Sequence, residues 1–426
     1  MSDLAIFGGP MAIQFSLSPY RTIGAEEKQA VLEVLDNGTL SQFLGAWDPD
    51  FYGGPKVLEF EQACAKYFGV RHAITVNSWT SGLIAAVGAI GVEPGDEVIL
   101  PSWTMTASAA AVLHWGGIPI FADIEEESFC LTASSVEAVI SSRTVAIMTV
   151  DIFGQSANIH DIMELAEKHG LKVICDTAQA PGALVDGKLA GTLGHIGGIS
   201  LNYHKHIHTG EGGVIFTDDD VLAERINLIR NHGEAVVQDM GVTRLDNIVG
   251  FNFRLGEIEC AIGIEQLRKL PRLISSRQRA ALQLNEALRG LDGLNLPSVS
   301  RGNTHVYYVY GMVLSGKALE IGRDAIVRAL EAEGVEGLAS GYQNLHLLPT
   351  YQTKTAFGSK GFPWSLFPEV DYNYSKGICP TSERLHDHSF IGLNLCKFEY
   401  SHDEVLQVIE AFTKVWANLH ELKPLS

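Results

Sequence analysis

Residues 200–217, SLNYHKHIHTGEGGVIFT, set Lys205 among His204, His206 and His208 and run into a glycine-rich turn. Such a set could serve as a metal centre, a phosphate cradle or a reactive amine. On an extended segment the three histidines would share one face with Asn202. Three ligands that close together on one strand are nevertheless hard to fold around a single tetrahedral ion, so no metal is expected. The turn TGEGG lacks the spacing and the Lys-Ser/Thr pair of a P-loop. No G-x-G-x-x-G follows a first strand, which sets aside a Rossmann dinucleotide site. What remains is the amine of Lys205, five residues after Ser200; taken alone, a solvated surface charge explains it better.

The elements that must position this lysine can be read from periodicity. In 56–216, short apolar runs of strand length (HAITV, DEVILP, IPIFAD, TVAIMTVD, LKVICD) alternate with helical patterns, among them SGLIAAVGAIG, 107–114 and 159–169. GGISLN and GGVIFT give two further strands flanking the lysine. Strands apolar on both faces and separated by helices indicate a mostly parallel sheet covered on both sides, an α/β three-layer domain. A long helical pattern follows 253 and continues past Pro271; from about 294 strand-like HVYYVYGMVL, a helix over 323–334, an aromatic loop over 341–378 and a last helix over 402–419 form a smaller α+β unit. The expected division is 1–270, a large domain with an N-terminal arm, and 271–426, a small C-terminal α+β domain.

Composition narrows the class. The 426 residues are 46% hydrophobic and 19% charged, without the apolar run of about 18 residues that a membrane helix needs. Fifty acidic against 31 basic residues, a formal charge of −19, disfavour nucleic acid and anionic membrane surfaces as partners. Six scattered cysteines form no C-x-x-C pair, and the N-terminus lacks a basic flank and a long apolar stretch, so a cytoplasmic protein with reduced thiols is expected.

Several stretches together carry a resemblance. SLNYHKHIHTGEGG is similar to the S-F-x-x-x-K-x-(I/L)-x-x-G-E-G-G segment of the DegT/DnrJ/EryC1/StrS family, pyridoxal-phosphate-dependent sugar aminotransferases of the fold-type-I, aspartate aminotransferase class. VNSWTSGL resembles the family's N-S-G-T-x-A-L, GVEPGDEVILPSWT its G-(I/V)-x-P-G-D-E-V-I-V-P-S-x-T, and VICDTAQAPGA its V-I-E-D-A-A-Q-A-x-G-A. GFNFRLGEIECAIG and the H-x-x-P stretch in YQNLHLLPTY extend the likeness from about 54 to 420, in the family's own order.

The resemblance implies a role for each matched residue. Lys205 would form the Schiff base with pyridoxal 5'-phosphate, which requires a desolvated amine of lowered pKa, and would then carry protons as a general base. Asp176, ending the strand KVICD, would hold the protonated ring nitrogen. Gln179 would sit near the ring hydroxyl, while Trp79, Thr80 and Ser200 would meet the phosphate at a helix start. Asn252 would reach the phosphate from the other subunit of a homodimer with shared active sites. His346 and Arg254 are substrate candidates, with His232 a weaker one, and Glu211 would fix the loop after the lysine. Two positions depart from the family: Trp79 stands where glycine is usual and could crowd the phosphate turn or reshape the pocket, and Met105 holds the place of the ring-stacking aromatic, with Trp103 as a core residue nearby.

The activity implied is amino transfer, from glutamate, to a nucleotide-linked keto-deoxysugar in amino-sugar biosynthesis. A nucleotide-free acceptor, either an octulosonate aldehyde or a cyclitol ketone, is the alternative, prompted by the unusual GAWDPDFYGGP with Trp47 and Tyr52. A sugar dehydratase would need histidine at the lysine position, and the spacing to Ser200 and Gly210 argues for Lys205. A non-enzymatic cofactor-binding regulator and a zinc protein are the rivals from other classes.

Overall fold

The computed structural model describes residues 2–425. Short apolar runs become β1 (His72–Val76), β2 (Glu97–Pro101), β3 (Ile118–Ala122), β4 (Thr144–Val150) and β5 (Lys172–Asp176). A small hairpin, β6 (Leu184–Val185) and β7 (Lys188–Leu189), precedes β8 (Ile196–Ser200) and β9 (Gly213–Thr217). The helices between them stop where glycine takes a left-handed conformation that other residues adopt at a cost, as at Gly91 (φ 90°) and Gly170 (φ 69°).

The seven-stranded sheet has the order β1-β9-β8-β5-β4-β2-β3, and only β9 runs against its neighbours. Its strands are buried on both faces, as the near-continuous apolar runs require. This is the α/β architecture with a mostly parallel central sheet that the sequence implies. The carboxyl ends of β1, β2, β4, β5 and β8 therefore open on one side, where open α/β sheets bind ligands.

A second, antiparallel sheet joins β10 (Leu294–Asn295), β11 (Tyr310–Leu314), β13 (Phe390–Leu393) and β12 (Leu338–Ala339) in that order. Its core takes Leu330 from the helix Arg323–Ala332 and Phe412 from the helix His402–Ala417. Leu4 and Ile13 are buried in this same core, so the start of the chain returns to the second sheet. The expected boundary at 270/271 falls inside a single helix, Glu257–Leu288. Cys260, Ile264 and Leu270 of that helix pack in the core beside β8 and β9, whereas Ala281, Leu284 and Leu288 pack beside β11.

One condition weighed in the sequence is not met and one local expectation is corrected. Residues 201–208 do not extend: Lys205 N–H donates to the Asn202 carbonyl at 2.9 Å and Thr209 N–H to that of Leu201 at 3.0 Å, which folds the segment into turns and separates the three histidines. Within HVYYVYGMVL only Tyr310–Leu314 is strand, because Val306 N–H and Val309 N–H bond the carbonyls of Gly154 and Phe153 instead of a sheet neighbour. The helix Ala25–Asn37 carries no counterpart in the periodicity reading.

Candidate active site

Five strand ends deliver the side chains of one cleft of about 170 Å³. After β1, Ser78 caps the helix Trp79–Ile90 by accepting from Ser81 N–H, which sets Trp79 and Thr80 on its first turn at the cleft wall. β2 leads to Thr104 and Met105, β4 ends at Val150, β5 leads to Asp176 and Gln179, and β8 leads to Ser200 and Lys205. Tyr342 closes the cleft from the loop that follows β12.

Lys205 is only 8% exposed, and its Nζ lies 4.6 Å from the ring centre of Tyr308. Burial pushes its pKa down to about 8, against the opposite pull of Asp176 and the Cys396 thiol. Asp176 is 5% exposed, and burial raises its pKa. Three neutral donors oppose that rise: Trp79 Nε1–H at 2.7 Å and Ala178 N–H at 3.2 Å, both to Oδ1, and Ser108 Oγ–H at 2.9 Å to Oδ2. A buried amine of weakened basicity and a buried carboxylate in one cleft are what imine chemistry and proton transfer require.

The neighbours are held in turn. Gln179 Oε1 accepts Phe153 N–H at 2.9 Å, and its Nε2 donates to the Tyr342 hydroxyl at 3.1 Å. Both Glu211 oxygens accept from Asn202 Nδ2 at 2.9 Å, so Glu211 ties down the turn that carries the lysine. His204 has its pKa lowered to about 4, chiefly by burial and then by Lys205, and its Nδ1 pairs with the Tyr308 hydroxyl at 2.7 Å. His206 is fully buried with Nε2 against the Val306 carbonyl; Lys205, not His206, lines the cleft.

The structure thus brings together Lys205, Asp176, Gln179, Ser200, Trp79, Thr80, Met105 and Glu211. Met105 is 54% exposed at the cleft, whereas Trp103 is buried among Phe129, Phe153 and Phe390. Trp79 does not crowd the helix start: its indole turns inward to Asp176. His346 requires a correction. It is completely buried, with Nδ1 2.5 Å from Ser102 Oγ and Nε2 2.9 Å from Glu383 Oε1, so neither ring nitrogen faces the cleft. Arg254 and Asn252 pair with each other at 2.7 Å outside the cleft of their own chain. Trp47, packed edge-on against Tyr52, and His232 also lie outside it.

Reasoning from the sequence gave no site role to Ser108, Tyr308 and Tyr342, and weighed His204 as a metal ligand. Each stood in a stretch already singled out: Tyr342 opens YQNLHLLPTY, Tyr308 lies in HVYYVYGMVL and Ser108 in the helical pattern 107–114.

Residues 21–366 match the DegT/DnrJ/EryC1/StrS aminotransferase family. The chain is 37% identical over 330 residues to GDP-perosamine synthase of Caulobacter vibrioides, covering 77% of this chain and 85% of that one. It is 37% identical over 289 residues to UDP-N-acetyl-3-dehydro-alpha-D-glucosamine 3-aminotransferase of Acidithiobacillus ferrooxidans, covering 68% and 75% of the two chains. Among solved structures, DesI in the presence of its TDP-sugar product superposes with a TM-score of 0.81 at 28% identity, covering 99% of this chain and 98% of that one.

Proposed function

The chain belongs to the DegT/DnrJ/EryC1/StrS aminotransferase family of pyridoxal-phosphate-dependent sugar aminotransferases, and from that premise we propose that it moves the amino group of glutamate onto a nucleotide-linked keto-sugar. The observation that carries this reading is the pair of buried groups, Lys205 and Asp176, facing one cleft at the carboxyl ends of β5 and β8.

The residues present fit the cofactor by their chemistry. The Lys205 amine, whose pKa lies near 8, is neutral in a usable fraction of molecules at neutral pH and can bond an aldehyde. Bound pyridoxal phosphate supplies an electron sink for the amino carbon of a substrate. Asp176, 5% exposed, would hold the proton at the ring nitrogen. The first turn of the helix Trp79–Ile90, with Thr80 and Ser200, offers backbone N–H groups and hydroxyls to a phosphate. Met105 would give an apolar flank to the ring, and Gln179, held by Tyr342, would stand near its hydroxyl. Lys205 Nζ, 4.6 Å from the centre of the Tyr308 ring, would be the group that removes and returns the proton on the substrate carbon.

The nucleotide-linked acceptor is supported by the relatives named for GDP- and UDP-linked sugars. A homodimer with shared sites is supported by Asn252, which lies outside the cleft of its own chain and would reach that of its partner. Leu44 and Trp47 are exposed apolar side chains close in sequence to Phe43, whose carbonyl accepts from Arg254 Nη1–H. Six buried free cysteines agree with a cytoplasmic setting, and among the described residues no helix is long and apolar enough to cross a membrane.

The test is a half-reaction followed by a whole one. Protein loaded with the cofactor is mixed with glutamate and 2-oxoglutarate is measured; nucleotide-linked and free keto-sugars are then offered and the amino-sugar identified by mass. Release of 2-oxoglutarate with turnover on a nucleotide-linked ketone is expected. Cofactor binding with no 2-oxoglutarate would return the non-enzymatic reading, and turnover on free sugars alone would replace the acceptor class.

A further inference from the structure

Trp79 fits its place through contacts from several directions. Its indole is buried in a slot left by missing side chains: a Cβ on Gly198 would lie 2.3 Å from Cζ3 and Cη2 of the indole, and one on Gly82 2.7 Å from Cε3. Gly213 makes room for the Trp79 backbone, which a Cβ there would approach to 2.9 Å. The slot aims Nε1–H at Asp176 Oδ1, 2.7 Å away. A space-filling core residue would have no reason to end on the carboxylate that faces the lysine.

A carboxylate offers about four acceptor positions, two on each oxygen. Oδ1 already accepts from Trp79 and Ala178, while Oδ2 accepts from Ser108 alone. We propose that Trp79 is a positioning residue for amino transfer: its indole N–H completes the coordination of Oδ1, keeps Asp176 an anion, and leaves one open acceptor position, on Oδ2, for the ring nitrogen of the cofactor. Indole, hydroxyl and amide donors carry no charge, so they stabilise the anion without a competing ion pair. The inference rests on the reading of Asp176 as the partner of that nitrogen.

Losing one hydrogen bond to a charged group raises the proton affinity of the carboxylate about tenfold. The shared proton then moves toward Asp176, and the ring becomes a weaker electron sink. The test uses cofactor labelled with 15N at the ring nitrogen, bound to wild-type protein, to Trp79→Phe, and to protein in which Trp79 is replaced by benzothienylalanine, an indole-shaped residue with sulfur in place of N–H. Gly82→Ala, whose Cβ would come nearest to the Trp79 ring, at 2.7 Å from Cε3, displaces the indole.

The proposal expects the 15N resonance to move from the protonated toward the unprotonated position in all three variants. It also expects kcat for the glutamate half-reaction to fall about tenfold while KM stays within about twofold. A wild-type resonance and kcat in the benzothienylalanine protein would overturn it, because shape alone would then suffice. Asp176→Asn separates the premise: if that variant leaves the resonance of the wild type unmoved, the assignment of Asp176 fails, whereas movement there with none in the Trp79 variants defeats the role of Trp79 only.

Discussion

At the scale of single residues, the lysine is held at a thermodynamic disadvantage. Its folded pKa of about 8 lies below the ordinary 10.5, so between those values the unfolded chain binds the extra proton. Stability therefore rises with pH through that window, and below pH 8 the full penalty applies, on the order of 3 kcal/mol. Cofactor-free Lys205→Met is expected to melt higher than cofactor-free wild type at pH 7, with the advantage fading between pH 8 and 10.5; equal melting at pH 7 would mean that the amine is solvated. The same depression sets reactivity. With about a tenth of the amine neutral at pH 7, capture of pyridoxal phosphate by the cofactor-free protein should accelerate several-fold toward pH 9, with a midpoint near 8. A stopped-flow profile still climbing steeply at pH 10 would refute the lowered pKa, and Lys205→Ala should leave no borohydride-stable label.

At the scale of elements, His346 shows what positions the cleft rather than what lines it. Its imidazole joins Ser102, just beyond β2, to Glu383 in the helix Pro380–Arg384, and the Leu345 N–H donates to the Ser102 carbonyl at 2.9 Å. The loop carrying Tyr342 is thereby fastened to the strand end that carries Thr104 and Met105. His346→Ala leaves a buried carboxylate and hydroxyl without this partner, a loss of about 2–4 kcal/mol. Thermal unfolding should show that loss while the KM for the keto-sugar changes little; a large KM effect at unchanged stability would restore a direct substrate contact. Strands β1 to β5 were legible because buried parallel strands are apolar runs set between helices, and Lys205 and Asp176 through the resemblance of the segments that carry them, since alone each reads as an ordinary charged side chain. The inward turn of Trp79 was not legible: it depends on Gly198, distant in sequence, having no side chain. Nor was the buried end of His346, since H-x-x-P gives a spacing and not a direction. The turns over 201–208 escaped the period-2 reading because their hydrogen bonds run within the segment and not to a neighbouring strand.

At the scale of the whole molecule, Asn252 and Arg254 bear on how many chains build one site. Both lie outside the cleft of their own chain, on a face whose loops are tied together by Asn231 Nδ2, which donates to the carbonyls of Leu44 at 2.7 Å and Phe51 at 2.9 Å. Leu44, Trp47 and Val249 are exposed apolar side chains that a second protein surface would cover. If that surface is another copy related by a two-fold axis, each Asn252 approaches the cleft of its partner, and every site is composite. The consequence can be measured by mixing. Lys205→Ala has no amine in either site, and Asn252→Ala is expected to weaken phosphate retention in both. A mixed dimer, however, places both lesions in one site and leaves the other intact. Unfolding and refolding an equal mixture should therefore restore activity to about a quarter of wild type, since half the dimers are mixed and half of their sites are whole. Each site drawing only on its own chain predicts instead no more activity than the average of the two parents, and that result would remove Asn252 from the active site.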